Sequence, residues 1–300
     1  MPDKKTWSYL QNSMEIDVGR YFEYDDDALE MYCRWLNFLN KPGMKVLEVG
    51  SGNGFFTNKL LKMFPEIVLS CLEPDSEFVE ILQKRFANRI SIINNIVESI
   101  DIDDNTFDAV ISHIVIHNLV DPIKALTEMK RVIKPNGWLV TIEPLPASRH
   151  YYPSKEIEEA FDFLFKAKMF KCKQYQKELI DQPQANPWSF CYPQFFSQIG
   201  LTNIRSHGWT SIFTLSDDRF DFKERKNWIS NRIKFEESKQ KETKKILLDM
   251  GEKLEDIDKV YSIINTYFTK LDKATQEELK HIHEQEIVHR ILTIGQKKIE

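Results

Sequence analysis

A chain of 300 residues with 41 Lys+Arg against 46 Asp+Glu carries a formal net charge of −5, which argues against a general polyanion binder, since phosphate neutralisation needs surplus Lys and Arg. At 42% hydrophobic residues the length suits one elaborated domain with an ample core. Four scattered cysteines (Cys33, Cys71, Cys172, Cys191) read as reduced thiols and argue against a disulfide framework and a zinc site. The lack of an apolar run of about 18 residues excludes a spanning helix, and with no apolar leader visible the expectation is a cytoplasmic protein with no bound metal.

Residues 1–40 carry Trp7, Tyr9, Arg20, Tyr21 and Phe22 ahead of the first core strand and are expected to form an N-terminal helical lid. Lys41-Pro42-Gly43 is a turn signal. Val46 to Val49 then reads as a buried strand, and Phe55, Phe56, Leu60, Leu61 and Phe64 recur at helical spacing. Ile67 to Leu72 is a strand, Ser76 to Phe86 a helix and Ile90 to Ile93 a strand. Phe107 to His113 is a strand, and Pro122 to Ile133 a helix with proline at the favoured first position. Lys134-Pro135-Asn136-Gly137 stops that helix, and Trp138 to Ile142 is a further strand. Alternation at this spacing predicts right-handed βαβ units and a doubly wound, mostly parallel α/β sheet over residues 41–144.

After Glu143 the rhythm changes. Pro144, Pro146 and Pro153 mark an exit from the core, and Ile157 to Leu179 reads as a helix within a cap insertion (residues 145–187). The core resumes over 188–216 with a short helix, Pro193 to Ile199, and a strand-like run from Thr202 to Leu215. Residues 217–286 are charged, helical and nearly free of glycine. Their apolar stripe (Ile257, Val260, Tyr261, Ile264, Tyr267, Phe268, Leu271) repeats three and four apart. It packs either inside the cap or against a second subunit. Ile287 to Lys297 is β-branched and reads as a last strand, with residues 287–300 closing the core. The helical block is then an insertion between two strands of one sheet, or else a separate C-terminal domain.

Three of only ten glycines fall within five residues, in VLEVGSGNGFF. A glycine turn between strand and helix lets a ligand approach the backbone and presents free helix N–H groups to an anion. The dinucleotide fingerprint would need a third glycine where Phe55 stands, and Glu48 at the strand end would repel a pyrophosphate. A carboxylate there suits a cationic group.

The run Glu48-x-Gly50-x-Gly52-x-Gly54 resembles motif I of the class I S-adenosylmethionine-dependent methyltransferases. Glu73 after the second strand, FDAVISHIVIHNLVDP (Phe107 to Pro122) and RVIKPNGWLVTIEP (Arg131 to Pro144) extend the likeness, which is nearest to the small-molecule enzymes of ubiquinone and menaquinone biosynthesis. The resemblance implies a seven-stranded Rossmann-like sheet and S-adenosyl-L-methionine as cofactor. It places Glu48, Gly50, Ser51, Gly52, Gly54, Glu73 and Pro74 around that cofactor, with Glu73 taking both ribose hydroxyls. Asn95 and Ile96 fall where the family holds adenine, though the family usually has Asp there. His113 and His117, four apart after the fourth strand, are candidates for the methyl-transfer face, as substrate contacts, general bases or structural residues. The resemblance also makes the N-terminal segment a fold-over lid, with Tyr21 toward the cofactor and Arg20 toward the acceptor.

Aromatic residues crowd Tyr151 to Phe196. Tyr151, Tyr152 and Trp188 border proline-marked loops and are the candidates for an acceptor pocket, against the alternative of an ordinary aromatic core. The expected function is methyl transfer to a small aromatic or amphipathic molecule. The competing readings are an RNA or protein methyltransferase docking through the helical insertion, and a cofactor-binding protein without catalysis.

Overall fold

The computed structural model describes residues 7–20, 23–119, 121–145, 149–179 and 192–299. In chain order these form α1 (Trp7–Leu10), α2 (Ser13–Gly19), α3 (Asp26–Trp35), β1 (Lys45–Val49), α4 (Phe55–Met63), β2 (Val68–Leu72), α5 (Ser76–Phe86), β3 (Ser91–Ile93), β4 (Phe107–His113), α6 (Pro122–Arg131), β5 (Ile133–Pro144) and β6 (Arg149–Tyr151). There follow α7 (Lys155–Leu179), α8 (Tyr192–Gln198), β7 (Leu201–Thr214), α9 (Phe222–Asp249), α10 (Leu254–Lys273), α11 (Gln276–Lys280) and β8 (Gln285–Lys297). The chain divides into two compact units.

The sheet unit comprises Glu23–Ser148, Gln184–Ser211 and Val288–Glu300. Its strands run in the order β3-β2-β1-β4-β5-β8, with β7 also paired to β8. β1, β2, β3, β4 and β5 pair in parallel, and β8 runs antiparallel to β5. Successive side chains of a strand point to opposite faces, and the core splits accordingly. Val46, Ala109, Ile111, Val140 and Ile142 pack with Tyr32, Phe56 and Leu60 on the α3 and α4 face. Leu47, Val49, Val110 and Leu139 pack with Leu126, Met129 and Phe196 on the α6 and α8 face. Buried on both sides, the strands read as continuous apolar runs.

One expectation shifts here. Lys134 to Gly137 does not separate helix from strand but lies inside β5, where the register against β4 jumps between Phe107↔Ile133 and Ala109↔Trp138. Asn136 takes φ 62°, and a Cβ at Gly137 would lie 2.7 Å from the Asp108 carbonyl oxygen. The segment is a bulge, a feature that alternation alone does not distinguish from a turn.

The helical unit comprises Met1–Phe22, Arg149–Pro183 and Ile212–Ile287. It packs α7, α9 and α10 around one apolar core, in which Ile257, Tyr261, Ile264, Tyr267, Phe268 and Leu271 are buried against Leu164, Trp228 and Ile229. The stripe along α10 is thus covered by the unit's own helices. Asp221 and Glu224 form a capping box at the start of α9, as Thr275 and Glu278 do for α11, satisfying amides that a helix start leaves without partners. The first residues of β8 pair with β6, Tyr151 opposite Gln285. None of the described helices is long and apolar enough to cross a membrane.

Candidate functional site

The β1–α4 turn is the feature the sheet unit builds with most constraint. Gly50, Gly52 and Gly54 all have positive φ, at 68°, 54° and 83°, where L side chains are strained. A Cβ at Gly50 would lie 2.5 Å from a Val115 methyl group, so β4's exit loop closes directly on the turn. Gly50 N–H donates to the Leu72 carbonyl at 2.8 Å, and Gly54 serves as the N-cap of α4.

Two acids flank the turn in different ways. Glu73, 4% exposed, accepts from the Gly52 N–H (2.7 Å) through Oε2 and from the Asp75 N–H (3.0 Å) through Oε1. It therefore ties the tip of the glycine turn to the start of α5, where Asp75 caps the helix. Glu48, 1% exposed, accepts from the Thr57 hydroxyl at 2.6 Å and the Cys71 thiol at 3.6 Å. Its position in β1 turns it to the α4 face, under the helix. Burial pushes both carboxyls up to about 7, the hydrogen bonds opposing it, because desolvation disfavours the charged form. Neither acid has a cation opposite it in the bonds just described. Ser51 is buried, its hydroxyl on the Glu48 carbonyl (3.4 Å), while Pro74 is exposed.

After β3, Asn95 bonds the next amide, Ile96 N–H, at 2.7 Å, and Ile96 is 50% exposed. Asn94, not Asn95, reaches the Glu73 region, donating to its carbonyl at 2.9 Å. The two histidines do not share a helical turn. His113 ends β4, and Ile114 at φ 58° reverses the chain before the short turn Ile116–Asn118. His113 is buried on the α4 face, its ring stacked on Phe56 at 4.3 Å and bonded through Nε2 to the Tyr24 hydroxyl. His117 is bonded through Nδ1 to Glu143 Oε2 at 2.7 Å, and Glu143 also accepts from the Val115 and Ile116 amides. Glu143 and Tyr24 escaped the sequence reading because both partnerships span long sequence separations. The only local hint was the acid closing the fifth-strand motif.

Tyr151 and Tyr152 belong to the helical unit. Tyr151 is 46% exposed, whereas Tyr152 stacks on His150 (4.3 Å) and Phe161 (4.5 Å). Arg20 lies in the same unit, half-buried. Tyr21 and Trp188 fall outside the described residues. No cluster of three or more His, Cys, Asp or Glu suited to a metal occurs among the described residues.

A strand, a glycine turn bound to an acid after the next strand, and a parallel sheet ending in an antiparallel strand form one constellation. Residues 47–141 match the family model described as "Methyltransferase domain". This stretch, which holds the glycine turn and both acids, carries the likeness to methyltransferases. The chain is 36% identical over 124 residues to an uncharacterized methyltransferase of Schizosaccharomyces pombe, covering 38% of this chain and 44% of that protein. It is 32% identical over 112 residues to the ubiquinone/menaquinone biosynthesis C-methyltransferase UbiE of Haemophilus ducreyi, covering 34% of this chain and 42% of that one. The chain thus aligns with less than half the length of these curated relatives. Among solved structures, a protein from Anabaena variabilis described as a methyltransferase of an antibiotic biosynthesis pathway shares the fold. Its TM-score is 0.55 at 15% identity, over 91% of this chain and 98% of that one. Phosphoethanolamine N-methyltransferase 2 of Haemonchus contortus also shares it, with TM-score 0.51 at 12% identity, over 99% of this chain and 60% of that one.

Proposed function

We propose that the protein is a methyltransferase that uses S-adenosyl-L-methionine to methylate a small molecule of aromatic or amphipathic character. The observation that carries this is the Glu73 carboxylate bonded to the Gly52 amide at 2.7 Å, an acid and a bare backbone at one place. Vicinal ribose hydroxyls need a bidentate carboxylate, and the amino-acid end needs close backbone approach; Glu73 and the Gly50–Gly54 turn supply them. Glu48, fixed by Thr57, stiffens the turn from below and presents negative charge to a cationic ligand. Ser51 and Pro74 border the same turn and acid, and Asn95 with Ile96 supply the base-side wall in this reading.

When bound, the cofactor supplies an activated methyl group on a sulfonium that is a good leaving group. The chain's contribution is therefore orientation and water exclusion, which carry most of the rate in such displacements. The aromatic wall of Phe55, Phe56 and Tyr24 around His113 keeps that face dry. The relatives' names favour a small acceptor, since UbiE is a quinone-pathway C-methyltransferase. Acceptor selection belongs, in this reading, to the cap residues Tyr151, Tyr152 and Trp188 and to the N-terminal residues Arg20 and Tyr21.

The test is calorimetry of the full chain with S-adenosylmethionine, S-adenosylhomocysteine and NADH side by side, followed by transfer of labelled methyl to a fractionated metabolite extract. Micromolar binding of the first two and label in a small-molecule fraction are expected. Binding of NADH alone overturns the proposal, and label that appears only in RNA or protein overturns its acceptor class.

A further inference from the structure

The strand order reverses between β1 and β4: the chain runs outward through β2 and β3, then returns to pair β4 with the other edge of β1. In an open parallel sheet the loops leaving the carboxyl ends of two such strands face one crevice, where ligands bind. One of these loops is the glycine turn. The other covers residues 114–119, where a Val115 methyl group closes on Gly50, and a single carboxylate holds it. Glu143, 0% exposed near the end of β5, accepts the Val115 N–H (3.2 Å) and the Ile116 N–H (3.0 Å) at Oε1 and meets His117 Nδ1 at 2.7 Å with Oε2.

The engaged atoms decide the state of the ring. Oε1 is taken up by two amides, so any proton shared with His117 lies between Oε2 and Nδ1. An imidazole is a stronger base than a carboxylate, so that proton sits on Nδ1 and Glu143 accepts it. In the neutral ring Nε2 then carries only a lone pair. The Nδ1 bond is the ring's one hydrogen bond among the described residues, and the side chain is 25% exposed, which leaves Nε2 for a molecule in the crevice. The turn Ile116–Asn118 packs on β5 and α6, and of their charged groups Glu143 is the one bonded to the ring. The others are engaged elsewhere or exposed: Glu128 pairs with Arg131, Lys134 with Asp108, Lys130 bonds the Ile199 carbonyl, Asp121 caps α6 and Lys124 is exposed.

We infer that Glu143 is a positioning residue that holds His117 as the neutral Nδ1–H tautomer, with Nε2 as the proton-accepting atom for a methyl acceptor bearing an O–H or N–H group. This rests on the methyltransferase reading and deepens it by naming the acceptor's chemistry. The acceptor's O–H or N–H bond breaks, its electron pair stays on the atom that takes the methyl group, and the proton forms N–H at Nε2. The imidazolium so formed faces the Glu143 carboxylate, which favours its charge. Its Nε2 proton passes to solvent afterwards, and no oxidant, reductant or further reactant enters.

The experiment is ¹⁵N-histidine NMR of the full chain, free and saturated with S-adenosylhomocysteine, on wild type, Glu143→Gln and His117→Gln, the last assigning the His117 signal. Wild type is expected to show His117 as the Nδ1–H tautomer. Glu143→Gln keeps a carbonyl oxygen for the Val115 and Ile116 amides but turns an N–H toward Nδ1, so the ring proton moves to Nε2. With the facing charge gone the His117 midpoint falls. Loop support alone would move neither signal. S-adenosylhomocysteine affinity is expected to be unchanged in both variants. With the label-accepting small-molecule fraction as acceptor, each variant lowers kcat about a hundredfold and leaves KM for the cofactor alone. The double variant falls no further than His117→Gln, because Glu143 acts through His117. A wild-type His117 protonated on Nε2, an unreversed tautomer in Glu143→Gln, or an unaltered kcat in His117→Gln overturns this inference alone, and label carried on carbon or sulfur overturns its acceptor chemistry. Should Glu143→Gln fail to fold, the wild-type tautomer and the His117→Gln kcat still decide. Failure of wild type to bind S-adenosylhomocysteine overturns the methyltransferase reading and this inference with it.

Discussion

Glu284 of the helical unit and the pair Glu48 and Glu73 of the sheet unit are buried carboxylates treated in opposite ways. In the helical unit Glu284, 1% exposed, receives Arg232 Nη1, the Tyr267 hydroxyl and His150 Nε2. The Arg232 guanidinium in turn lies among the rings of Tyr152, Phe161, Trp228 and Phe268, 5.0–5.7 Å from each centroid. Despite burial, those partners hold the Glu284 carboxyl down at about 2. In the sheet unit Glu48 and Glu73 receive only neutral donors and are held up near 7. A cation opposite a buried acid favours its charged form, whereas amides and hydroxyls alone leave desolvation in control and the neutral form favoured.

The sharpest way to break that contrast is Glu284→Gln. Removing one member of a buried ion pair leaves Arg232 uncompensated, and a loss of about 3–5 kcal/mol is expected. Chemical denaturation at pH 7 checks it, and a loss below about 1 kcal/mol would remove the distinction between the units. Next in size is Glu73→Gln, expected to weaken S-adenosylmethionine binding by about 2–3 kcal/mol, since hydrogen bonds to charged groups carry that much. Here stability should barely fall, and calorimetry beside a melting curve separates the two effects.

Glu48→Gln tests the sign. The free carboxyl titrates near 4.5 and the folded one near 7. As pH rises between those values the unfolded chain ionises while the fold resists, so stability falls across that window and stays lowered above it. Below the window the wild-type group is neutral in both states. Glu48→Gln should therefore stabilise by about 1–3 kcal/mol at pH 8 and by almost nothing at pH 4. Glu284 runs the other way: its folded value is depressed, so its contribution is present at neutral pH and is lost as pH falls from the carboxylate range through about 2. Urea titrations at the two pH values distinguish these slopes.

The sheet was legible because its signals are local. Ser76–Phe86 and Phe107–His113 coincide residue for residue with the runs read from apolar periodicity. The three-glycine turn stood out in a chain poor in glycine. What stayed hidden depends on contacts between distant residues. Tyr24 meets His113 across 89 positions, and His150 meets Glu284 across 134, which no periodicity encodes. Tyr152 illustrates the same limit. It borders a proline-marked loop, and its packing between His150 and Phe161, with the Arg232 guanidinium over its ring, joins residues that no local pattern links. The spacing of four between His113 and His117 suggested one helical turn, because nothing in the sequence signals that Ile114 would take a left-handed backbone.

The smallest expected effect compares single hydroxyls. Tyr267→Phe removes one donor from Glu284, and Thr57→Val removes one from Glu48. Glu284 is ionised at any pH above the acid range, so the Tyr267 hydroxyl faces a full charge and its loss should cost about 1–2 kcal/mol at pH 5 and pH 8 alike. Glu48 is neutral at pH 5, where Thr57 supplies an ordinary neutral bond of about 1 kcal/mol, and largely ionised at pH 8, where the same hydroxyl supports a charge. The cost of Thr57→Val should therefore roughly double between the two pH values while that of Tyr267→Phe stays flat. Equal pH dependence in the two variants would mean that the two acids share one protonation state, and the division between a carboxylate matched by a cation and one left to neutral donors would fail.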